Sequence, residues 1–278
     1  MADLSAAPNL FDRALLLQRQ GRARRQGAAT FLLDRVYEDM EERLSAVKRE
    51  FAEVADIWTP GAGVSQRTRF TSFHHIAQAM DEVVALPPES LDLAVSALAF
   101  QFVNDLPGVL AQIRRTLKPD GLLLAALVGG DSLTELRQAF AAAEAECEGG
   151  VSPRVAPFAD LRDIGALLQR AGLALPVTDV DRVVVRYDSA FALMLDLRRM
   201  GATNVLTERR KTPTRRTTML RMAEIYAERF ADPDGRIRAT FDIVWLSAWA
   251  PHASQPKPLR PGSATASLED AVKKAGKT

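Results

Sequence analysis

A glycine-containing segment at residues 56–63, DIWTPGAG, holds the residue types that could bind a nucleotide cofactor. The apolar residues before it lead to Asp56, as a buried strand leads to the cofactor turn of an α/β fold. Gly61 and Gly63 would let the backbone approach a ligand closely, whereas Pro60 removes one backbone N–H from the turn. The spacing therefore predicts a cofactor-binding turn of altered composition.

Two adjacent acids and one serine are further candidates for cofactor contacts. Asp81 lies about 20 residues beyond the glycine turn, the separation at which an acid binds the ribose hydroxyls in dinucleotide-binding folds. Glu82 is its neighbour, and both could instead be solvated loop acids. Ser96 lies in an apolar run and is as well placed to be a small core residue as a cofactor contact. The sequence leaves these alternatives open.

The residue types of nucleophilic and metal chemistry are scarce. Cys147 is the only cysteine, and the three histidines, His74, His75 and His252, lack the spacing of zinc ligands. No Ser/His/Asp or Cys/His arrangement is evident, so we assign no catalytic residue and expect no metal. Because His74 and His75 are adjacent, solvent-facing or helix-end positions are favoured over a catalytic role.

Composition argues against several classes of partner. The 278 residues are 47% hydrophobic and 26% charged, as in an ordinary globular protein. A formal net charge of +1 gives no field that would favour nucleic acid or an anionic membrane. No apolar run reaches the roughly 18 residues of a membrane span. The single cysteine excludes an internal disulfide and fits a reducing compartment, so we expect a cytoplasmic location. The oligomeric state is left undetermined.

Two helices are predicted at the N-terminus. Residues 10–27 are rich in arginine like a transit peptide, but Asp12 and a helical apolar face favour a docking helix over a targeting segment. That face comprises Leu10, Phe11, Ala14, Leu15 and Leu17. Residues 28–50 place apolar side chains at spacings of three and four, which predicts an amphipathic helix. Residues 1–50 are therefore interpreted as an N-terminal helical region.

The elements that must position the candidate residues alternate between strand and helix. Residues 51–58 turn β-like, and residues 90–100 and 122–128 read as buried strands. Asn104 or Asp105 can cap the helix between the last two, with Pro107 in its first turn. Residues 72–87, SFHHIAQAMDEVVALP, are interpreted as a helix followed by a short strand. This order indicates an α/β fold with a mostly parallel sheet.

Local signals predict the later boundaries. The segment KPDG at 118–121 is interpreted as a turn in which Gly121 takes a positive φ, and SLTE at 132–135 matches a helix capping box. Gly172 and Gly201 are expected to end two further helices. One more helix, at 218–230, and a strand at 237–251 follow. The α/β domain is placed at 51–270, with a helical insertion at about 188–232 and a disordered tail at 271–278.

Residues 88–137 closely resemble the second half of class I S-adenosylmethionine-dependent methyltransferases. They are most similar to the group of complex I assembly-factor methyltransferase-like proteins and, more distantly, to the malonyl-carrier-protein methyltransferases of the biotin pathway. LKPDG alone is common in methyltransferases, whereas its combination with GGDSLTELR and the GSAT at 262–265 is specific. The similarity runs from about Leu10 to Asp270.

The resemblance implies a Rossmann-like sheet that holds S-adenosylmethionine at the carboxyl ends of its strands. Asp56 could match the acid that precedes the family's glycine turn, and the family register places Asp81 and Glu82 near the adenine. Only residues 58–91 separate the turn from the strand that resembles the family's fourth. The family fits two crossovers there, and this sequence has room for one. A strand-helix pair is therefore lost, or both pairs are compressed.

Two functions are consistent with the resemblance. The first is methyl transfer to a protein side chain or to a carboxylate on a carrier, for which proximity and alignment suffice without an enzyme nucleophile. The contacts to S-adenosylmethionine would then come from Asp56, Gly61, Gly63, Asp81, Glu82 and Ser96. The second is an assembly or modification factor, similar to the arginine-hydroxylating relatives, that keeps the fold and transfers little or no methyl.

Two further segments carry alternatives. Residues 100–102, FQF, stand where the family usually has a histidine and a tryptophan; core packing by Phe100 and Phe102, with Gln101 at the surface, is the favoured interpretation. The basic segment 208–216, ERRKTPTRR, is either a solvated loop or a surface that captures an acidic partner or carrier. It has no interleaved aromatic residues, which argues against single-stranded nucleic acid.

Overall fold

The computed structural model describes residues 9–61 and 70–256. Gly63, the GSAT segment and the predicted tail at 271–278 lie outside the described residues. No helix within the described ranges is long and apolar enough to cross a membrane. The described chain forms seven α-helices and six strands in the following order: α1 Arg13–Arg25, α2 Phe31–Ala46, β1 Glu53–Ile57, β2 Ser72–Ile76, β3 Leu91–Ala97, α3 Leu106–Thr116, β4 Leu117–Gly129, α4 Thr134–Glu148, α5 Leu161–Arg170, β5 Ala174–Tyr187, α6 Ala190–Arg199, α7 Arg216–Phe230 and β6 Ile237–Trp249.

The six strands form one sheet in the order β2-β1-β3-β4-β6-β5. The first four are parallel, and β6 inserts antiparallel between β4 and β5. Strand β2 is the edge strand beside β1, and no further strand follows it in the part of the chain that is described. The predicted α/β class and the shortened first half of the sheet are thus confirmed.

Apolar side chains on both faces of the sheet form the core. On one face α2, α4 and α7 bury residues such as Met40, Phe140 and Met222 against the strands. On the other face α3 and α5 bury Leu110 and Ile164. The buried central strands explain why their sequences are continuous apolar runs rather than alternating ones.

The prediction of a helix within residues 72–87 is wrong. Residues 72–76 form strand β2, which pairs in register with β1 so that His75 lies opposite Asp56. Residues 77–90 contain neither helix nor strand. Edge pairing with β1 satisfies the backbone of this segment, and this tertiary contact overrides the local helical pattern. His74 and His75 are exposed on this edge strand rather than at a helix end.

The turn predicted at 118–121 is part of β4, where it forms an irregularity against β3. Asp120, not Gly121, takes the positive φ, at 63°. Gly121 is needed for a different reason: a Cβ there would lie 2.9 Å from the carbonyl oxygen of Lys118 and 3.1 Å from that of Leu91. The glycine therefore permits a close approach of two backbones.

The prediction of a capping box at 132–135 is also wrong. Leu133, with φ 54°, is the N-cap of α4, and it makes no side-chain capping bond. The Ser132 hydroxyl donates to Gly129 O at 2.6 Å and accepts from Asp242 N at 2.8 Å. Glu135 accepts from the Thr240 hydroxyl. Strand β6 lies close enough to take both side chains that would otherwise cap the helix.

Other local signals are confirmed. Asp105 caps α3 by accepting from Gly108 N, and Pro107 lies in the first turn. Gly172 and Gly201 follow α5 and α6 with φ of 78° and 72°.

Helix α1 is confirmed, but it buries another face than the one predicted. Phe11, just before the helix, is buried as expected, whereas Leu10 and Ala14 are exposed. The buried residues of the helix are Arg13, Leu16, Gln20 and Ala23. Since two of these four side chains are polar, α1 docks through hydrogen bonds as well as apolar contact.

Candidate active site

A cavity of about 700 Å³ opens at the carboxyl ends of the parallel strands. Its floor is formed by Pro60 and Gly61 after β1, by Leu98 and Gln101 after β3, and by Val128 near the end of β4. Parallel strands bring residues that follow them to one edge of the sheet, which is why these distant positions meet. The volume falls in the range of about 300–1,000 Å³ that holds small molecules and cofactors.

The opposite wall comes from helices outside the sheet. Helix α1 contributes Leu15, Arg19 and Ala23, which are spaced by four and so share one face. Helix α6 and the loop at 200–214 complete this wall. Gly201 allows the loop to reach α1, because a Cβ at this position would lie 2.9 Å from Cα of Gln20.

The cavity wall is strongly basic. Seven basic residues and no aspartate or glutamate occur among its described lining residues. The seven are Arg19, Arg24, Arg154, Arg199, Arg209, Arg210 and Lys211. The interior between them is apolar, with Phe102, Leu136, Phe140 and Phe158 among the lining residues. An apolar cavity with cationic groups at defined points fits an organic anion.

Acids behind the wall hold several of these arginines in place. Glu144 is buried and accepts from Arg154 Nε at 2.8 Å, from Ser152 N at 2.7 Å and from the Ser152 hydroxyl. Burial acts to raise the pKa of Glu144, but the bonds from Ser152 and Arg154 outweigh it and lower the pKa below its ordinary value. Arg210 pairs in the same way with Glu148 at 2.6 Å.

Gly61 is the predicted cofactor residue that the structure places in the cavity wall. Its φ is 97°, a conformation that favours glycine. Trp58, which immediately precedes Thr59-Pro60, has φ 64° although it is a buried aromatic residue. Such a residue in the left-handed region costs roughly 1–2 kcal/mol, and the surrounding core holds it there.

Asp56 and Ser96 lie beneath the cavity and do not line it. The Ser96 hydroxyl donates to Ile57 O at 2.7 Å, and both Asp56 and Ser96 are fully buried. The Thr59 hydroxyl donates to Asp56 and accepts from Ala97 N at 2.9 Å. These bonds fix the end of β1 against the end of β3. The roles of Asp56 and Ser96 as cofactor contacts stay predictions.

Asp81 and Glu82 also lie outside the cavity lining. Asp81 is exposed, and its carboxylate lies 3.4 Å from Val83 N. Glu82 accepts from Asn104 N at 2.9 Å and lies 3.3 Å from Arg13 Nε. Arg13 itself is 5% exposed and also donates to Ala79 O at 2.5 Å. Glu82 thus ties α1 to the segment after β3, and the role of both acids as cofactor contacts stays a prediction.

Two glutamines near this edge were not predicted as site residues. Gln101 lines the cavity, and its Oε1 is buried without a hydrogen-bond partner among the described residues. Gln78 follows the carboxyl end of β2, and neither polar atom of its amide has a partner in the described ranges. Gln101 Nε2 donates to Leu98 O at 2.7 Å, so Gln101 offers a ligand only its amide oxygen, whereas the Gln78 amide could both donate and accept. Buried polar atoms without a partner are uncommon. Only the position of β2, which the sequence did not reveal, could have indicated Gln78.

The segment 100–102 matches its favoured interpretation in part. Phe100 packs in the core at a ring-centroid distance of 6.3 Å from Trp58, and Phe102 packs against Phe11. Gln101, expected at the surface, is instead half-buried in the cavity wall. Within the described residues, no three His, Cys, Asp or Glu side chains are grouped as metal ligands.

Comparison with known proteins agrees with this arrangement. Residues 43–125 match the profile of a methyltransferase domain. The protein named arginine-hydroxylase NDUFAF5, mitochondrial, of Rattus norvegicus is 35% identical over 289 aligned positions, which cover 95% of this chain and 84% of the rat protein. The chain belongs to this methyltransferase family. The resemblance inferred from residues 88–137 is confirmed, and the protein is S-adenosylmethionine-dependent methyltransferase-like.

Other members of the methyltransferase family match over shorter regions. The zebrafish (Danio rerio) protein of the same name is 42% identical over 69% of this chain and 60% of its own length. The Dictyostelium discoideum protein is 44% identical over 66% of this chain, and that match spans 42% of the relative. The malonyl-[acyl-carrier protein] O-methyltransferase of Laribacter hongkongensis is 40% identical over 65% of this chain and 58% of its own length.

Proposed function

We propose that this protein transfers a methyl group from S-adenosylmethionine to a carboxylate presented by an acidic carrier protein. The observation that carries the proposal is the charge of the cavity: seven described lining residues are basic and none is acidic. Acids behind the wall pair with four of the seven, and the uncompensated charge comes from Arg19, Arg24 and Lys211. The positive charge of the cavity favours the binding of a carboxylate acceptor and would repel a cationic one.

The residues present fit S-adenosylmethionine in part. The cavity volume and the exposed backbone at Gly61 suit a cofactor at the end of β1, and Gln101 offers a buried amide oxygen as an acceptor. The carboxylate that would bind the ribose hydroxyls has no counterpart in the described wall. When bound, S-adenosylmethionine supplies an electrophilic methyl group. The protein's part is to bind and orient the two partners and to exclude water.

A carboxylate acceptor needs no catalytic base. Its pKa of about 4 leaves it ionised at neutral pH. One carboxylate oxygen forms a bond to the methyl carbon while the methyl–sulfur bond breaks and its electron pair stays on sulfur. The products are a methyl ester and S-adenosylhomocysteine, and no proton is transferred. This balance agrees with our assigning no catalytic residue from the sequence.

The basic loop supports an acidic carrier as the partner. Arg209, Arg210 and Lys211 belong to the segment for which the sequence left two alternatives, and all three line the cavity. Arg209 and Arg210 pair with Asp12 and Glu148, so the uncompensated charge of this loop is that of Lys211. Arg24 and Arg199 extend the basic surface on α1 and α6 and are exposed. Relatives named malonyl-[acyl-carrier protein] O-methyltransferase act on such a carrier by name. The capture of an acidic carrier is therefore favoured over a merely solvated loop.

The proposal is tested by incubating the protein with methyl-labelled S-adenosylmethionine and an acyl carrier protein that carries a malonyl group. We expect label in an alkali-labile ester on the carrier. The same carrier bearing a butyryl group is the matched control, because it lacks only the free carboxylate, and it should stay unlabelled. Equal labelling of both carriers, or of neither, would sink the proposal.

A second candidate is modification of an arginine side chain. It is favoured by the identity with the proteins named arginine-hydroxylase, which extends over 95% of this chain in the rat protein. The cavity charge argues against it, since an arginine entering this cavity would approach like charges.

A further inference from the structure

The cations around the cavity differ in how their charge is balanced. Arg154 and Arg210 pair with Glu144 and Glu148, and Arg209 lies 3.2 Å from Asp12. These three guanidinium groups are neutralised within the fold. Arg199 lies 3.7 Å from Asp196 and is exposed. These four arginines therefore offer a ligand little uncompensated positive charge.

Three cations, Arg19, Arg24 and Lys211, have no acid within salt-bridge distance among the described residues. Arg24 and Lys211 are exposed at the rim, where water screens their charge. Arg19 is half-buried, and its described partner is the carbonyl oxygen of Asn204. Burial lowers the pKa of Arg19, and the nearby Arg209 and Arg22 lower it further, with a smaller opposing effect from Asp12. Its positive charge is therefore poorly compensated in the protein alone.

We infer that Arg19 of α1 is the residue that binds the carboxylate of the acceptor, and that it selects carboxylate-bearing acyl groups over neutral ones. The inference rests on the proposed function, and it names the residue that determines specificity in the same cavity. A planar guanidinium can hold a carboxylate through two parallel hydrogen bonds, and such bonds strengthen where water is partly excluded. The bond to Asn204 holds one end of the group and leaves its remaining donors for a ligand.

The test is calorimetric titration of the full-length protein with malonyl-pantetheine and butyryl-pantetheine. We expect malonyl-pantetheine to bind at least about tenfold more tightly, as one charge-assisted contact would give. Arg19→Met should remove this preference, and Arg19→Lys should restore part of it, because lysine keeps the charge without the planar fork. Arg25→Met is the matched control: Arg25 is on the same helix, is exposed and does not line the cavity. It should keep the wild-type preference.

Two results would overturn the inference: a wild-type protein that binds both compounds equally, or an Arg19→Met variant that folds and keeps the preference. Folding is checked by comparing the thermal unfolding of Arg19→Met with that of Arg25→Met. If the wild-type protein prefers malonyl-pantetheine and Arg19→Met does not, but no label is transferred from S-adenosylmethionine, the carboxylate site stands and methyl transfer is refuted. The two proposals can therefore fail separately.

Discussion

At the residue scale, the structure gives structural contacts to several side chains that the sequence marked as candidate cofactor contacts, and their role toward a cofactor stays a prediction. Glu82 pairs with Arg13, and no local pattern in the sequence reveals this contact because the two residues lie far apart along the chain. Ser96 and Asp56 hold the strand ends that shape the cavity. Gly61 could be predicted, because a glycine after a buried strand has a local signature.

The ion pair of Glu82 with Arg13 gives the first prediction. Glu82→Gln should lower the free energy of unfolding by on the order of 3 kcal/mol, because it leaves the nearly buried Arg13 without its counter-charge. Urea denaturation measures the change. Asp81→Asn is the control, and with its exposed side chain it should change stability by less than about 0.5 kcal/mol. Equal effects of the two substitutions would show that the ion pair does not anchor α1.

At the element scale, helices and buried strands were predictable wherever the apolar period was long. Helices α2, α3, α5, α6 and α7 all follow from spacing and caps. The three failures, at 72–87, 118–121 and 132–135, share a cause, since each segment is bonded to a strand distant in sequence. Likewise the basic loop showed its charge in the sequence, but its place beside α1 depends on the packing of Gly201.

Gly201 gives the second prediction. Gly201→Ala should destabilise the protein by about 1–3 kcal/mol more than Gly235→Ala, as measured by urea denaturation. Both glycines have positive φ, of 72° and 82°, so both variants share the backbone strain. Only at Gly201 would the new Cβ meet another segment, at Gln20 of α1, whereas nothing lies within 4 Å at Gly235. Equal losses would contradict the close packing of the loop on α1.

At the scale of the whole molecule, Asp242 of β6 links β5 to the turn before α4. It accepts from Arg182 Nε at 2.7 Å and from Asp131 N at 3.0 Å. Burial acts to raise the pKa of Asp242, but these bonds outweigh it, and the pKa lies below its ordinary value of 3.8. A carboxyl group whose pKa is lowered on folding stabilises the protein above the pKa of the unfolded chain. That contribution is lost as the pH falls through the folded value.

The third prediction follows from the lowered pKa of Asp242. Arg182→Met should destabilise the protein at pH 7, and the difference from wild type should shrink as the pH falls below 3.8. Below that pH the carboxyl group binds a proton in the unfolded chain, whereas in the folded protein it does so only at a lower pH. Urea denaturation across this pH range measures it. Arg170→Met, which removes an exposed arginine without an acid partner in the described ranges, should show no such pH dependence. A difference for Arg182→Met that is constant with pH would refute the linkage.

If the cavity at the sheet edge methylates an anionic acceptor, the protein should choose that acceptor over a cationic one in a competition experiment. The protein is incubated with S-adenosylmethionine, malonylated carrier protein and an arginine-containing peptide, and the masses of both acceptors are measured by mass spectrometry. We expect the carrier to gain the mass of one methylene group, as methyl replaces hydrogen in the ester, and the peptide to be unchanged. A peptide modified on arginine, with the carrier unchanged, would contradict it.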